Sequence, residues 1–479
     1  MKAIKYLMMG ALMMTISAPV MAQDEAKATI TAITNVIKSK AADTEDQVKN
    51  VFKQNKKNPQ VLVGIGEAYL SIKDTANATK YAELAIKAKK EYAPAYILKG
   101  DIAQVKDDGG TAAGMYEMAI YFDKTNPEPY RKYAVINSKT SFMSSVAKLE
   151  ELRKAVPSEP VDIQIAQLYE RNGKIEDAIK YYEKADVAKM DAYNFASFGL
   201  MYNLNKQYDK SLSIAEKGLE RFPRNASLNR IALINTIALK DYDKALIYGD
   251  RLFNKSDSVE LKDLDYINYA TAYQEKKDYD NAINMFRKTM QVSTGDKDAI
   301  NNIYKNISTA YLKKGDSVNA IKEYNNYMNG TSSKTANDYV GLANIYYSHA
   351  ADLKGEQQKA ELVNTDNVYK ELMEKFPNDF DVKAYALSKR GDLNAAMDPT
   401  MKDFRAQPYF NQLAEVIENK AKTEQLDAND KTKLVRAYWY LANVYQIKND
   451  KSTAKSYWNK ILEIDPTNKV ATEAISAMK

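Results

Sequence analysis

Residues 165–186 read IAQLYERNGKIEDAIKYYEKAD, and the spacing within this stretch decides the fold. Ile165 and Ala166 are followed, three residues after the alanine, by Tyr169. Nine residues after that tyrosine comes Ala178, and four further on comes Tyr182. Steps of three and four place residues on one face of an α-helix. Gly173-Lys174 is a polar turn between the two halves, and glycine tolerates the left-handed conformation that ends a helix. The stretch therefore predicts two antiparallel helices. A small residue on each lets the backbones approach, and the tyrosines fill the wedge between them.

The pattern recurs in both directions along the chain. A bulky residue, a small one and then a tyrosine appear at Ile65-Gly66 with Tyr69, Phe198-Gly199 with Tyr202 and Tyr269-Ala270 with Tyr273. They appear again at Ile307-Ser308 with Tyr311, Leu342-Ala343 with Tyr346 and Leu441-Ala442 with Tyr445. Ala78, Ser211, Ala282, Ala320 and Ala454 keep the distance of nine, and Phe286, Tyr324 and Trp458 supply the later aromatic. Ala112 with Tyr116 fits as well, with Ala103 where a tyrosine is expected. Pro223, Pro377 and Pro466 close three of the units, because proline cannot continue a helix.

This pattern resembles the tetratricopeptide repeat, whose period is about 34 residues. The resemblance implies an all-α, right-handed superhelical solenoid of antiparallel helix pairs. A solenoid is stabilised by its units and by the contacts between neighbours. It divides the chain into a helical segment at 23–58, a repeat array at 59–347 with a degenerate unit near 127–157, and an irregular helical insertion at 348–426. A terminal repeat follows at 427–466, with a capping helix at 467–479. Pro399 and Pro408 interrupt the pattern in the irregular stretch.

The N-terminus reads differently. Residues 1–22, MKAIKYLMMGALMMTISAPVMA, have a basic start at Lys2 and Lys5, an apolar run and a small-residue end, followed by polar Gln23-Asp24-Glu25. This is the pattern of a secretory signal peptide cleaved after Ala22. The apolar run is too short to span a bilayer, which takes about 20 residues. The expectation is an exported bacterial protein, periplasmic or associated with the outer membrane, without membrane insertion after cleavage.

Composition narrows the chemistry. The chain has no cysteine, which rules out disulfides, thiolate metal sites, a cysteine nucleophile and a lipid-bearing N-terminal cysteine. Its 69 basic and 63 acidic residues give a net charge of +6, too balanced to argue for nucleic acid. His349 is the single histidine, so no histidine cluster or histidine-based triad exists, and it reads as a surface residue. Gly109-Gly110 is a turn signal rather than a phosphate loop. No catalytic residue, metal site or cofactor is expected.

In the family that the repeats resemble, the functional surface is usually the concave face lined by first helices. The resemblance implies that the residue after each small slot looks into it: Glu67, Asp101, Gln167, Leu200, Thr271, Thr309, Asn344 and Asn443. Lys305 joins this set. Lys305, Asn344 and Arg436 have the residue types of a carboxylate clamp, but they do not all lie in the adjacent units that a clamp requires. The implied function is a non-catalytic protein-binding scaffold or assembly factor of the cell envelope, with a peptide or protein partner. The alternative is a glycan- or nutrient-binding envelope protein, with its site on exposed aromatics of the irregular stretch. Asp74-Thr75-Ala76, Asp257-Ser258-Val259 and Asp316-Ser317-Val318 resemble a short O-glycosylation signal of exported Gram-negative proteins.

Overall fold

The computed structural model describes residues 19–478, apart from Thr294 and Asp296. All but the last four residues of the expected leader therefore lie outside the described residues. The described residues form 25 α-helices, a 3-10 turn at Val187–Lys189 and a π turn at Arg251–Lys255, with no β-strand among them. They pack as two compact units that divide between Ile231 and Ala232.

The first unit opens with α1 (Pro19–Ser39) and α2 (Thr44–Asn55). Five pairs follow. They are α3 (Pro59–Ser71) with α4 (Thr75–Ala88), α5 (Ala93–Val105) with α6 (Gly109–Phe122), and α7 (Pro127–Ile136) with α8 (Phe142–Ala155). Next come α9 (Val161–Arg171) with α10 (Ile175–Lys184), and α11 (Ala192–Leu204) with α12 (Tyr208–Arg221). The division falls in α13 (Ala226–Ala238). The second unit continues with α14 (Tyr242–Asp250) and then α15 (Asp263–Glu275) with α16 (Tyr279–Val292). After these come α17 (Lys297–Lys314) with α18 (Ser317–Gly330), and α19 (Ala336–Ala351) with α20 (Gly355–Lys375). It closes with α21 (Phe380–Met397), α22 (Gln407–Ala421), α23 (Ala428–Ile447), α24 (Lys451–Ile464) and α25 (Lys469–Ala477). Within each unit, the helices in substantial contact are neighbours or next-but-one neighbours along the chain.

The constant spacing of nine has a backbone cause. Each of the six first helices that keep this spacing is closed by a residue with positive φ: Lys73, Gly173, Lys206, Lys277, Gly315 and Asn449. The next residue turns its N–H back to the carbonyl of the repeat tyrosine, as Asp74 does to Tyr69 at 3.0 Å and Asp278 does to Tyr273 at 2.9 Å. This is the hydrogen bond of a left-handed helix end. The same aspartate then caps the second helix: Asp74 accepts from Asn77 N at 3.0 Å, and Asp316 accepts from Asn319 N at 3.0 Å. One helical turn beyond the cap lies the small residue, Ala78 or Ala320, which is fully buried. Turn and cap together fix the distance from tyrosine to small residue.

The small slots admit little else. A Cβ on Gly100 would lie 2.4 Å from the Tyr116 ring, and one on Gly66 would lie 2.5 Å from Leu98. Where serine fills a slot, its hydroxyl donates to the facing backbone: Ser211 to Gly199 O at 2.6 Å and Ser308 to Ala320 O at 2.7 Å. Ser145 donates to Ala134 O at 3.0 Å, so the stretch 127–157 holds a real pair with its own small second-helix residue. Tyr116, Tyr130, Tyr182 and Trp458 are among the largest fully buried side chains.

The stretch 348–426 is helical, and it departs from the array in helix length. α20 and α21 have 21 and 18 residues, against 13 and 14 in α3 and α4. Arg390 joins α20 to α22: it donates to Asp366 from Nε at 2.9 Å and from a terminal nitrogen at 3.0 Å, and it reaches the Tyr409 hydroxyl at 3.3 Å. Such a bidentate pair fixes orientation as well as contact. His349 is mostly covered rather than superficial, because α20 lies against it. Its Nδ1 lies 2.8 Å from Glu361 Oε1.

Candidate functional site

The repeat geometry buries one residue and opens the next. Gly66, Gly100, Ala166, Gly199, Ala270, Ser308, Ala343 and Ala442 are buried against the second helices. The residues that follow them, Glu67, Asp101, Gln167, Leu200, Thr271, Thr309, Asn344 and Asn443, are exposed or half-buried. Equivalent slots on one helix face lie two turns before and one turn after each of these.

In the first unit this face is joined across helices. Asp101 on α5 accepts from Lys132 Nζ on α7 at 2.7 and 2.8 Å, and from the Tyr116 hydroxyl at 2.8 Å. Lys132 also lies 3.4 Å from Glu128. Glu67 on α3 faces the same group. It still meets solvent, but protein on most sides thins the water around it, and this pushes its carboxyl above the usual range. The negative charges of Glu128 and Asp101 push in the same direction, and Lys132 offsets them in part. Gln167 on α9 donates to Asn194 on α11 at 2.8 Å. Leu200 is 41% exposed, and its companions on α11 are Tyr193 at 59% and Leu204 at 52%.

In the second unit the same slots are satisfied locally. Thr271 donates to Ile267 O at 2.8 Å and Thr309 to Lys305 O at 2.9 Å, while Asn443 donates to Trp439 O at 2.7 Å. Asn344 is exposed. Lys305 is half-buried and donates to Asp338 at 2.9 Å, with its ammonium 4.9 Å from the Tyr327 ring centroid. Burial works against the charged carboxylate of Asp338. The Thr335 backbone N–H, Lys305, the Tyr327 hydroxyl and the Thr335 hydroxyl outweigh it and hold the carboxyl at about 2. Burial likewise opposes the Lys305 charge, and Asp338 outweighs it, so the ammonium is held above its usual range. Lys305 is therefore committed to its own unit, as is Arg436, whose Nε donates to Asp392 at 3.2 Å. The pair does not form a carboxylate clamp with Asn344.

The sequence reading passed over Glu128, Val135, Tyr193 and Leu204. Tyr193 lies two turns before Leu200 and Leu204 one turn after it, while Val135 follows the small residue Ala134 and Glu128 lies two turns before Val135. Carrying the helix period outward from each slot would have found them. The glycosylation-like triplets separate by environment. Asp74 and Asp316 are helix caps, Ser317 is 5% exposed, and Ser258 is exposed on a bend. Aromatics of the irregular stretch are packed: Tyr369 and Phe410 are buried, and Phe376, Phe380, Tyr385, Phe404 and Tyr409 are half-buried. Among the described residues no group of acidic or histidine side chains is arranged to hold a metal ion. No helix among them is long and apolar enough to cross a membrane.

The model of the family described as tetratricopeptide repeat matches residues 59–92, 163–186, 266–293 and 435–468. The chain carries tetratricopeptide repeats at these four places, and its described residues have the all-α helix-pair architecture that the repeats imply. The C-terminal part of a TPR repeat-containing protein from Cytophaga hutchinsonii is 23% identical; the match covers 58% of this chain and 99% of that one, with a TM-score of 0.45. A tetratricopeptide repeat protein from Parabacteroides merdae is 16% identical over 61% of this chain and 96% of its own, with a TM-score of 0.31. PilW, described as a widely conserved type IV pilus biogenesis factor, is 16% identical over 41% of this chain and 93% of its own, with a TM-score of 0.33. No curated protein matches the sequence.

Proposed function

We propose that this chain is a non-catalytic scaffold of the cell envelope that holds a peptide or protein partner on the face of its first helices. The observation that carries the reading is the alternation at the repeat slots: a buried small residue, then an accessible one, kept through both units. A repeat array presents such residues in rows, which suits an extended partner. Glu67, Asp101, Gln167, Thr271, Lys305, Thr309, Asn344 and Asn443 are the proposed contact positions. The reading involves no cofactor, metal, nucleic acid or membrane-inserted segment. Within 348–426 no aromatic side chain is fully exposed, which supports the protein reading over a glycan platform there. Of the three glycosylation-like triplets, Asp257-Ser258-Val259 has the exposed hydroxyl residue, while Thr75 is half-buried and Ser317 buried.

Export is part of the proposal and rests on the leader pattern at 1–22. N-terminal sequencing of the chain from a fractionated producing cell checks it. The expected chain starts at Gln23 in the periplasmic or outer-membrane fraction, and a cytoplasmic chain that keeps Met1 defeats it. For the face, a photo-crosslinking residue is placed at Gln167 or Asn344, and at Lys180 on a second helix as control. The scaffold reading expects discrete protein adducts from the first two positions and none from the third. Equal adducts from all three sink it.

A further inference from the structure

Apolar side chains on a soluble surface need no explanation singly, but a set aligned on one face points to a partner. On α11, Tyr193, Leu200 and Leu204 are spaced by seven and four residues, so they share one side of the helix. All three are more than two-fifths exposed. Two further apolar residues occupy the same slots in earlier repeats. Val105 is one turn beyond Asp101 on α5 and 48% exposed; Val135 follows Ala134 on α7 and is 58% exposed. All five belong to the first unit and to its first-helix face.

Charge on the same face selects the occupant. Glu67, Asp101 and Glu128 occupy its first three repeats, and Lys132 is the ammonium that meets them. Lys139, one turn after Val135, is a second cation of these repeats, so two positive charges stand against three carboxylates and that end keeps an excess of one negative charge. Burial first, and then the charges of Glu128 and Asp101, push the Glu67 carboxyl up, and an arriving cation would offset the second of these. Lys139 and Arg171 occupy the slots one turn after Val135 and Gln167, are exposed, and follow the acidic repeats on the same face. The face thus runs from acidic, through Val135 and Gln167, to apolar.

We propose that the first-helix face of the first unit docks a protein segment that carries lysine or arginine at one end and aliphatic or aromatic side chains at the other. Its cation meets Glu67, Asp101 and Glu128, and its apolar side chains cover Val135, Tyr193, Leu200 and Leu204. This rests on the scaffold reading and names the chemistry of its partner. Coulomb attraction supplies orientation and approach rate, and apolar contact supplies residence time.

The test is to pan a phage-displayed library of random dodecapeptides on the whole chain and to measure an enriched peptide by fluorescence anisotropy. Enriched peptides are expected to join Lys or Arg to Leu, Val or Phe. Glu67→Gln with Glu128→Gln should weaken binding roughly tenfold, and so should Leu200→Ser with Leu204→Ser. The first loss should shrink the salt dependence as well. These side chains are exposed, and a thermal midpoint by circular dichroism no lower than that of the parent chain confirms the fold of each variant. Peptides that are acidic, or that lose affinity on Asn344→Ala and Thr309→Ala instead, overturn the proposal and leave the scaffold reading standing. Self-association in analytical ultracentrifugation that Leu200→Ser abolishes makes the occupant a second copy and also overturns it. A library with no enrichment overturns the docking proposal; the crosslinking at Gln167 and Asn344 then decides the scaffold reading separately.

Discussion

The two units use one repeat geometry to make two different surfaces. On the first-helix face of the first unit, polar groups reach across helices, as Lys132 does to Asp101 and Gln167 does to Asn194. That face gathers three exposed apolar side chains on one helix, Tyr193, Leu200 and Leu204, where the second unit has single ones, Leu264 and Ile447, on separate helices. On the equivalent face of the second unit, Thr271, Thr309 and Asn443 bond to carbonyls of their own helices, and Lys305 is tied to Asp338. Hydroxyls and amides that donate within their helix meet a partner with their remaining acceptor or donor capacity alone. The repeat slots set where a side chain points, and the side-chain choice at each slot decides whether it is available.

The largest effects should come from the slots common to both units. Gly100→Leu in the first and Ala282→Leu in the second should each cost about 3 kcal/mol by overpacking. Hydrogen exchange would locate the damage. Loss of protection is expected in the substituted unit, and equal loss in both would break the two-unit description.

Next comes an opposition in pH response. Asp338 in the second unit is held at about 2, below its unfolded value, so its stabilisation is present above about pH 4 and is lost as the pH falls through 2. Asp338→Asn should remove about 2 kcal/mol at neutral pH and flatten that acid limb in a denaturant series. Glu67 in the first unit is pushed the other way. A raised carboxyl stabilises most below its unfolded value and loses that stabilisation as the pH rises through the folded one. Glu67→Gln should therefore slightly raise first-unit stability at neutral pH and abolish the gain as the pH falls toward the ordinary glutamate range. A Glu67 titration midpoint at or below the ordinary glutamate value, measured by NMR, would contradict the account of the acidic face.

Smaller effects bound the comparison. Ser308→Ala puts the usual slot residue in place of a hydroxyl bonded to Ala320 O, and it should cost about 1 kcal/mol or less. Lys313→Ala breaks an exposed pair with Glu275 at 2.8 Å and should cost about 0.5 kcal/mol or less. A larger loss by thermal melting would mean that this pair belongs to a wider network.

Much of the fold was legible because the repeat is written in local terms. Tyr69, the turn at Lys73 and the cap at Asp74 lie within six residues, and their hydrogen bonds follow from spacing alone. The second helix of the degenerate unit was harder to read. Its small slot is Ser145, and its distance from Ala134 is one residue shorter than that from Gly199 to Ser211. The candidate face was legible as positions but not as chemistry. Sequence gave no sign that Lys132 would be spent on Asp101, that Lys305 would be spent on Asp338, or that α20 would cover His349. Each of these depends on which side chains neighbouring helices bring opposite one another.

Packing between near neighbours in the chain also has a mechanical consequence. Contacts that close short loops form quickly, because little chain entropy is lost before they are rewarded. They also bear load one after another rather than together. Held by its ends in an optical trap, each unit should lengthen in successive small rips of about one helix pair and refold with little hysteresis. Such a body yields a turn at a time under tension and recovers its length when the tension is released.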